Sequence, residues 1–232
     1  MQRLDKFLSE AGAATRKECR ALVRAGRVCV DGAPAAAPDQ KVTDGALVTL
    51  DGAVVEPYRL VTLLLYKPAG YVTSTDDPRD KTVMELIPER YRKLGVVPVG
   101  RLDKETEGLL LLTNDGALNH RIASPRHGME KRYYAEHEGC ATEEDRAAFA
   151  AGLMLRDGTR CLPAELHPLG SGRSEIVVRE GKYHQVRRMM ASRGMPVSYL
   201  RREAEGSLTL AGMEYGTVRE LRDSELEMLQ KS

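Results

Sequence analysis

Two short runs constrain the fold more than anything else in the chain. Val61-Thr-Leu-Leu-Leu-Tyr66 and Leu109-Leu-Leu-Leu-Thr113 are apolar at consecutive rather than alternating positions, so any strands they form are buried on both faces. Around them, helices are predicted at Val83–Ile87, Gly116–Ala123, Glu143–Ala151 and His184–Arg193. Further strands are predicted at Tyr71–Thr73, Arg132–Glu136, Ser174–Arg179 and Val197–Arg201. No strand–helix–strand unit repeats at a period of about 30 residues, which argues against a parallel α/β sheet. The expectation is the α+β class with a mixed, mainly antiparallel sheet. A length of 232 residues is enough for one large or two small domains. The change of character around Pro57 divides the chain into residues 1–58 and 59–232.

The first segment reads as a small α/β module. Leu4, Phe7, Leu8 and Ala11 form one apolar helical stripe, and Thr15-Arg-Lys-Glu18 is a capping box opening a second helix with Leu22 and Val23 inward and Gly26 as its stop. Alternating strands then run into two Asp-Gly hairpin dipeptides, Asp31-Gly32 and Asp51-Gly52. The net charge of the chain is only +1, which by itself argues against a nucleic-acid partner. The distribution reverses that argument. Residues 1–30 carry seven basic groups (Arg3, Lys6, Arg16, Lys17, Arg20, Arg24, Arg27) against three acids, residues 31–58 carry one against five, and Lys182–Arg202 carries six against none. A basic helix face of this kind tracks a phosphate backbone, although an isolated charge run is also what a solvated helix presents.

The run RLDKFLSEAGAATRKECRALVRAGRVCVDG closely resembles the S4 RNA-binding domain over about residues 2–55. The resemblance implies RNA binding through the seven basic residues of the first 30 and says nothing of catalysis. The four cysteines (Cys19, Cys29, Cys140, Cys161) are too scattered for a zinc site or a disulfide framework. The chain also lacks a signal core and any apolar run near the roughly 18 residues that span a bilayer. A cytoplasmic protein is expected.

Two segments carry chemistry. Gly100-Arg-Leu-Asp-Lys-Glu-Thr-Glu-Gly108 sets Asp103 in a loop against the wholly apolar strand that follows. Asp103, Glu105 and Glu107 would also suit a metal site or an acid/base pair, but no His lies nearby at ligand spacing, and on its own the pattern reads as a charged loop. Arg179-Glu-Gly-Lys-Tyr-His-Gln-Val-Arg-Arg-Met-Met190 begins a helix after a glycine turn. One of Arg187 and Arg188 could pair with a buried carboxylate there while the other faces phosphate. His184 is the one histidine in this basic run, suited more to orienting backbone or touching RNA than to acting as a general base.

Together these segments closely resemble the RsuA family of RNA pseudouridine synthases over nearly the whole chain. GRLDxxTxGLLLLTNDG at Gly100–Gly116 is similar to the catalytic motif and implies that Asp103 is the catalytic carboxylate. KRYY at Lys131–Tyr134 implies an active-site role for Tyr133. EGKYHQVRRM at Glu180–Met189 implies that Arg187 pairs with Asp103, an opposite charge within about 4–6 Å favouring the ionised carboxylate. Val197-Ser-Tyr-Leu-Arg201 implies that Leu200 packs on the base. Arg101, Lys182, His184, Gln185 and Arg188 are expected at the substrate, with Arg101 gripping a flanking phosphate or filling the space left by an extruded uridine. Three routes stay open for the carboxylate: attack at C1′, addition at C6, or a glycal.

Tyr71–Pro78 and His120–His127 look more like the small-subunit branch of the family, and a basic C-terminal extension common among large-subunit relatives is absent. The implied substrate is 16S rRNA, at the uridine commonly numbered 516, in a small-subunit assembly intermediate. No cofactor or metal is implied, and a monomer is expected. The competing readings are a synthase acting on 23S rRNA, a non-catalytic rRNA-binding assembly factor, and an N-glycosidase in which water captures C1′.

Overall fold

The computed structural model describes residues 1–124 and 128–231. Pro125–His127, the end of the His120–His127 segment, lie outside the described residues. The chain forms two compact units, Met1–Leu60 with Glu89–Gly95, and Val61–Pro88 with the chain from Val96 onward. The division falls two residues past the expected break, and the grouping of Glu89–Gly95 with the first unit has no counterpart in the sequence pattern.

In the first unit, β1 (Gln2–Arg3) leads directly into α1 (Leu4–Glu10), which buries Leu4, Phe7 and Leu8 of the predicted stripe. Helix α2 (Arg16–Arg24) opens on the capping box. Glu18 N–H donates to Thr15 Oγ1 at 3.4 Å, and Thr15 N–H donates back to Glu18 Oε2 at 2.9 Å. The strands β2 (Val28–Val30), β3 (Ala33–Pro34), β4 (Lys41–Val42), β5 (Val48–Leu50) and β6 (Ala53–Val54) follow. They form a sheet in the order β3-β2-β5-β6, while β4 pairs with β1. Both hairpin dipeptides have two successive positive φ angles (Asp31 52°, Gly32 81°; Asp51 51°, Gly52 82°), the backbone that a type I′ turn requires. Cys19, Val23, Val28, Val42 and Val48 complete the core beneath α1. The short helix α3 (Glu89–Lys93) belongs to the same unit.

The second unit is built on one sheet. Its strands are β7 (Thr62–Lys67), β8 (Val97–Val99), β9 (Glu107–Thr113), β10 (Lys131–His137), β11 (Glu165–Gly170), β12 (Arg173–Val178), β13 (Val197–Glu205), β14 (Leu208–Thr209) and β15 (Val218–Glu220). The order is β11-β12-β10-β13-β9-β7-β15, with β14 on β13 and β8 on β9, and every pairing is antiparallel except β13 with β9. This is the mixed, mainly antiparallel sheet expected. Leu63, Leu64, Leu65 and Leu109–Leu112 are all fully buried, so β7 and β9 are the covered centre that their unbroken apolar runs demand. The helices are α4 (Gly116–Ala123), α5 (Glu143–Ala151), α6 (Gln185–Ser192) and α7 (Asp223–Lys231). The predicted Val83–Ile87 helix is a 3₁₀ turn at Val83–Leu86. The predicted Tyr71–Thr73 strand is a single bridge from Val72 to Thr82, and strands β8, β11, β14 and β15 and helices α3 and α7 were not anticipated. β11 has a single buried residue, and β15 is only three residues long, so neither carries a periodic signal. No helix among the described residues is long and apolar enough to cross a membrane.

The parallel meeting of β9 and β13 explains one glycine. Gly108 sits opposite Arg202 with φ at +114°, and a Cβ there would lie 2.3 Å from the Arg202 carbonyl oxygen. Only glycine lets the strand bearing Arg202 approach the loop bearing Asp103 this closely.

Candidate active site

The segment Gly100–Thr106 crosses the C-terminal end of β7, and it is pinned from below at two points on either side of Asp103. Thr73 Oγ1 donates to Leu102 O at 2.7 Å and accepts from Leu102 N–H at 3.1 Å. The fully buried Lys67 ammonium donates to Pro68 O at 2.9 Å, Lys104 O at 3.1 Å and Thr106 O at 2.8 Å. Three protons thus meet three carbonyls, two of which belong to the loop. Burial pushes the Lys67 pKa down to about 8, against the opposing pull of the Glu105, Glu107 and Asp103 carboxylates. Asp103 itself is half-buried and lines a cavity of about 750 Å³. Neither Lys67 nor Thr73 was singled out from sequence. A lysine ending an apolar strand just before a Pro-x-Gly turn was the available signal.

The three acids of the loop separate. Glu105 is exposed, while Glu107 accepts from the hydroxyls of Tyr199 at 2.7 Å and Tyr215 at 2.9 Å, so only Asp103 faces the cavity. The end of the motif is structural. Thr113 Oγ1 donates to Val61 O, Asn114 Oδ1 accepts from Val61 N–H, and Asp115 Oδ1 caps α4 by accepting from Ala117 and Leu118.

The expected Arg187–Asp103 pair does not form. Arg187 does not line the cavity, and its Nη1 donates to Val197 O at 3.1 Å. The reason is helical phase. Helix α6 starts at Gln185 and turns Gln185 and Val186 to the cavity, so the next residue, about 100° further round, faces the start of β13. The guanidinium inside the cavity wall is Arg202, 1 % exposed, donating from Nε to Leu109 O at 2.7 Å and paired with Glu205 at 3.2 Å. Burial opposes its charge, but Glu205 and Tyr133 more than compensate and raise its pKa. Tyr133, directly across from Arg202 in β10, is buried at the same place, and desolvation pushes its phenol pKa up. Leu200 and Lys131 complete this side, the latter 3.6 Å from Glu205 and with its pKa lowered by burial.

The opposite wall is the turn before α6. His184 takes the left-handed conformation (φ 47°, ψ 35°), rare for a residue with a side chain, and its Nε2 comes 3.5 Å from Asp103 Oδ1. Gln185 Oε1 accepts from Lys182 N–H, Gln185 Nε2 donates to Glu180 at 2.8 Å, and the Lys182 ammonium pairs with Glu180. Arg101 is exposed at the rim with no polar partner among the described residues. Arg188, expected at the substrate, lies outside this cavity. It pairs with Asp157 and donates to Tyr183 O at 3.2 Å. The structure therefore brings together Asp103, Tyr133, Leu200, Arg101, Lys182, His184 and Gln185, excludes Arg187 and Arg188, and adds Arg202.

In the first unit the seven basic residues do not form one uniform face. Asp5, fully buried, accepts from Arg3 at 3.1 Å, Arg20 at 2.9 Å and Arg16 at 3.4 Å, and these guanidiniums hold its carboxyl well below the usual range despite burial. Lys6 pairs with Glu10 and Arg27 with Asp51, while Lys17 and Arg24 are exposed without partners among the described residues.

Comparison with known proteins connects these two units to one reaction. Residues 61–192 match the family model of RNA pseudouridylate synthase, and residues 2–48 match that of the S4 domain. The chain belongs to the RNA pseudouridine synthase family. Among its relatives are an uncharacterised RNA pseudouridine synthase of Bacillus subtilis, 38 % identical over 99 % of this chain and 98 % of that one, and the ribosomal small subunit pseudouridine synthase A of Vibrio parahaemolyticus, 37 % identical over 97 % and 98 %. A crystal structure of a pseudouridylate synthase, 33 % identical, superimposes with a TM-score of 0.69 over 99 % of this chain and 100 % of that chain. In this pseudouridine synthase with an S4 domain, the pinned loop carries three acids, and of these Asp103 is the one that lines the cavity.

Proposed function

We propose that the protein converts a uridine of 16S rRNA, at the position commonly numbered 516, to pseudouridine, with Asp103 as nucleophile or electrostatic catalyst on a flipped-out nucleoside. The observation that carries this reading is the half-buried Asp103 carboxylate, facing a cavity of about 750 Å³ from a loop hydrogen-bonded on its inner side by Lys67 and Thr73. The reaction is an isomerisation. The N1–C1′ bond breaks, the uracil turns, C5 joins C1′, the hydrogen on C5 leaves to solvent and N1 ends protonated. No second reactant enters, so the protein's task is to engage the sugar–base junction and keep the detached base from water and from escape. Leu200 and Tyr133 supply the apolar and aromatic surface for the base, and Arg202, paired with Glu205 rather than with Asp103, is the buried cation of the same cavity wall. Extruding the uridine costs a few kcal/mol of unstacking, which the S4 module's hold on the surrounding RNA offsets. The Vibrio relative's name and its near-complete coverage of both chains support the small-subunit substrate, and a small-subunit assembly intermediate met by a monomer in the cytoplasm is the form proposed.

Replacing Asp103 by Asn tests the catalytic assignment. The variant is expected to bind the RNA as the wild type does and to release no tritium from C5-labelled uridine. Substantial release would overturn the role of Asp103, and free uracil from the wild type would indicate an N-glycosidase. Mapping pseudouridine in rRNA from a strain lacking the protein tests the substrate. Position 516 should be unmodified and restored by wild type but not by Asp103→Asn, whereas a loss confined to 23S rRNA would reassign the target.

A further inference from the structure

Tyr183 separates two cavities. It lines the Asp103 cavity and also a second one of about 440 Å³, formed with Leu155, Arg156, Asp157, Arg188 and the outer side of α6. Its ring stacks on the His184 imidazole, with centroids 4.0 Å apart and planes inclined by 14°, and yet the residue is 76 % exposed. The stack uses one face of the ring and leaves the other to solvent. The platform is held firmly, since Arg188 donates to the Tyr183 carbonyl and is itself tied to Asp157.

The polar groups of the second cavity define what it can take. Asp157 is engaged by Arg188 and by Thr159 N–H, and Ser192 Oγ donates to Met189 O at 2.7 Å. Arg156 is exposed and has no partner among the described residues. What remains is an open aromatic face and one uncommitted guanidinium, with no free group aimed to read the edge of a base. That combination complements a nucleotide by stacking and by phosphate charge, and it tolerates any base.

We propose that a nucleotide flanking the target uridine stacks on the open face of Tyr183 with its phosphate on Arg156, without readout of its base identity. This rests on the reading of the Asp103 cavity as the site of the flipped uridine, because Tyr183 is the wall that the two cavities share.

The test uses the full-length protein and an RNA fragment spanning the 516 region of 16S rRNA, with 2-aminopurine placed just before or just after the target. Fluorescence is expected to fall on saturation with wild type at one of the two positions, to stay unchanged with Tyr183→Ala, and to fall again with Tyr183→Trp. In pseudouridine formation, Tyr183→Ala should raise KM about tenfold with kcat unchanged. An abasic residue at the responsive position should raise the wild-type KM similarly and add nothing to the effect of Tyr183→Ala. The proposal falls if neither position is quenched, if quenching survives Tyr183→Ala, if the two KM effects multiply, or if kcat falls instead, which would make Tyr183 only a support for His184. Failure of wild type to convert the target overturns the proposed substrate. Quenching is read on bound RNA and decides on the platform either way.

Discussion

The two basic windows of the chain look alike in sequence and are organised in opposite ways. In the first, one buried carboxylate gathers three guanidiniums. Arg3, Arg16 and Arg20 converge on Asp5 while their own side chains stay 38–49 % exposed, so a surplus of positive charge is held in a fixed arrangement at the surface. In the second, nearly every cation is matched to an acid of its own. Lys182 has Glu180, Arg188 has Asp157, Arg193 has Asp145 and Glu144, Arg201 has Glu203, and Arg202 has Glu205. Arg187 spends its hydrogen bond on a backbone carbonyl. One carboxylate shared by three cations leaves charge for a phosphate backbone, whereas cations matched to acids leave little, and two of those pairs, Lys182–Glu180 and Arg202–Glu205, are built into the cavity wall. The six-to-none count of Lys182–Arg202 thus says little about RNA, because the neutralising acids lie just outside the window or far from it in the chain.

The comparison is broken most forcefully at Arg202. If the second window is structural, Arg202→Met should cost about 3–5 kcal/mol in urea denaturation, since it leaves the buried Glu205 carboxylate with only the more distant Lys131 ammonium, 3.6 Å away. The double variant Arg202→Met with Glu205→Gln should recover much of that loss. A single variant as stable as wild type would show that this pair does not hold the cavity wall together.

That case also marks how far the sequence could be read. The central strands were legible because a run of leucines needs no partner information to be recognised as buried, and helix α2 was legible from its capping box. Asp103 was legible through its motif. The partner of the carboxylate was not, because the side of α6 on which Arg187 falls depends on where the helix starts, and a one-residue difference in start rotates a side chain by about 100°. Lys67 and Asp5 were missed for a related reason. Each is a charged residue at the edge of an apolar pattern, where exposure is the ordinary expectation, and only the tertiary structure surrounds Lys67 with three carbonyls and Asp5 with three guanidiniums.

The Asp5 cluster makes a pH prediction. The carboxyl is held below its unfolded value, so the stabilisation is fully present above about pH 4 and is lost as pH falls through the lowered native value. Acid unfolding of the first unit should therefore begin below about pH 4. Asp5→Asn should lower its stability by about 1.5–3 kcal/mol at neutral pH, with the difference from wild type vanishing in acid. The measurement is urea unfolding at a series of pH values, and a difference that is independent of pH would mean that the three arginines are not organised by the charge of Asp5.

The smallest effect separates the windows most directly. Each cation that displaces counterions from a nucleic acid adds to the slope of log affinity against log salt, about 0.7 per contact for single strands and 0.9 for a duplex. Among the described residues Lys17 and Arg24 have no acid to leave when RNA arrives, so replacing both by Ala should flatten the slope by about 1.4–1.8. Arg188 and Arg193 are already neutralised by Asp157 and by Asp145 with Glu144. Replacing those two by Ala should leave the salt slope unchanged. The exposed pair with Asp157 is worth at most about 1 kcal/mol, and the larger stability cost falls at Arg193, whose loss leaves the buried Asp145 carboxylate without its guanidinium. The two double variants remove the same formal charge from the same protein, so bulk electrostatics predicts equal slopes for both. A flattened slope in only the first assigns phosphate binding to the uncommitted cations of the S4 unit, and equal slopes would mean that the ion pairs of the second window open when RNA binds.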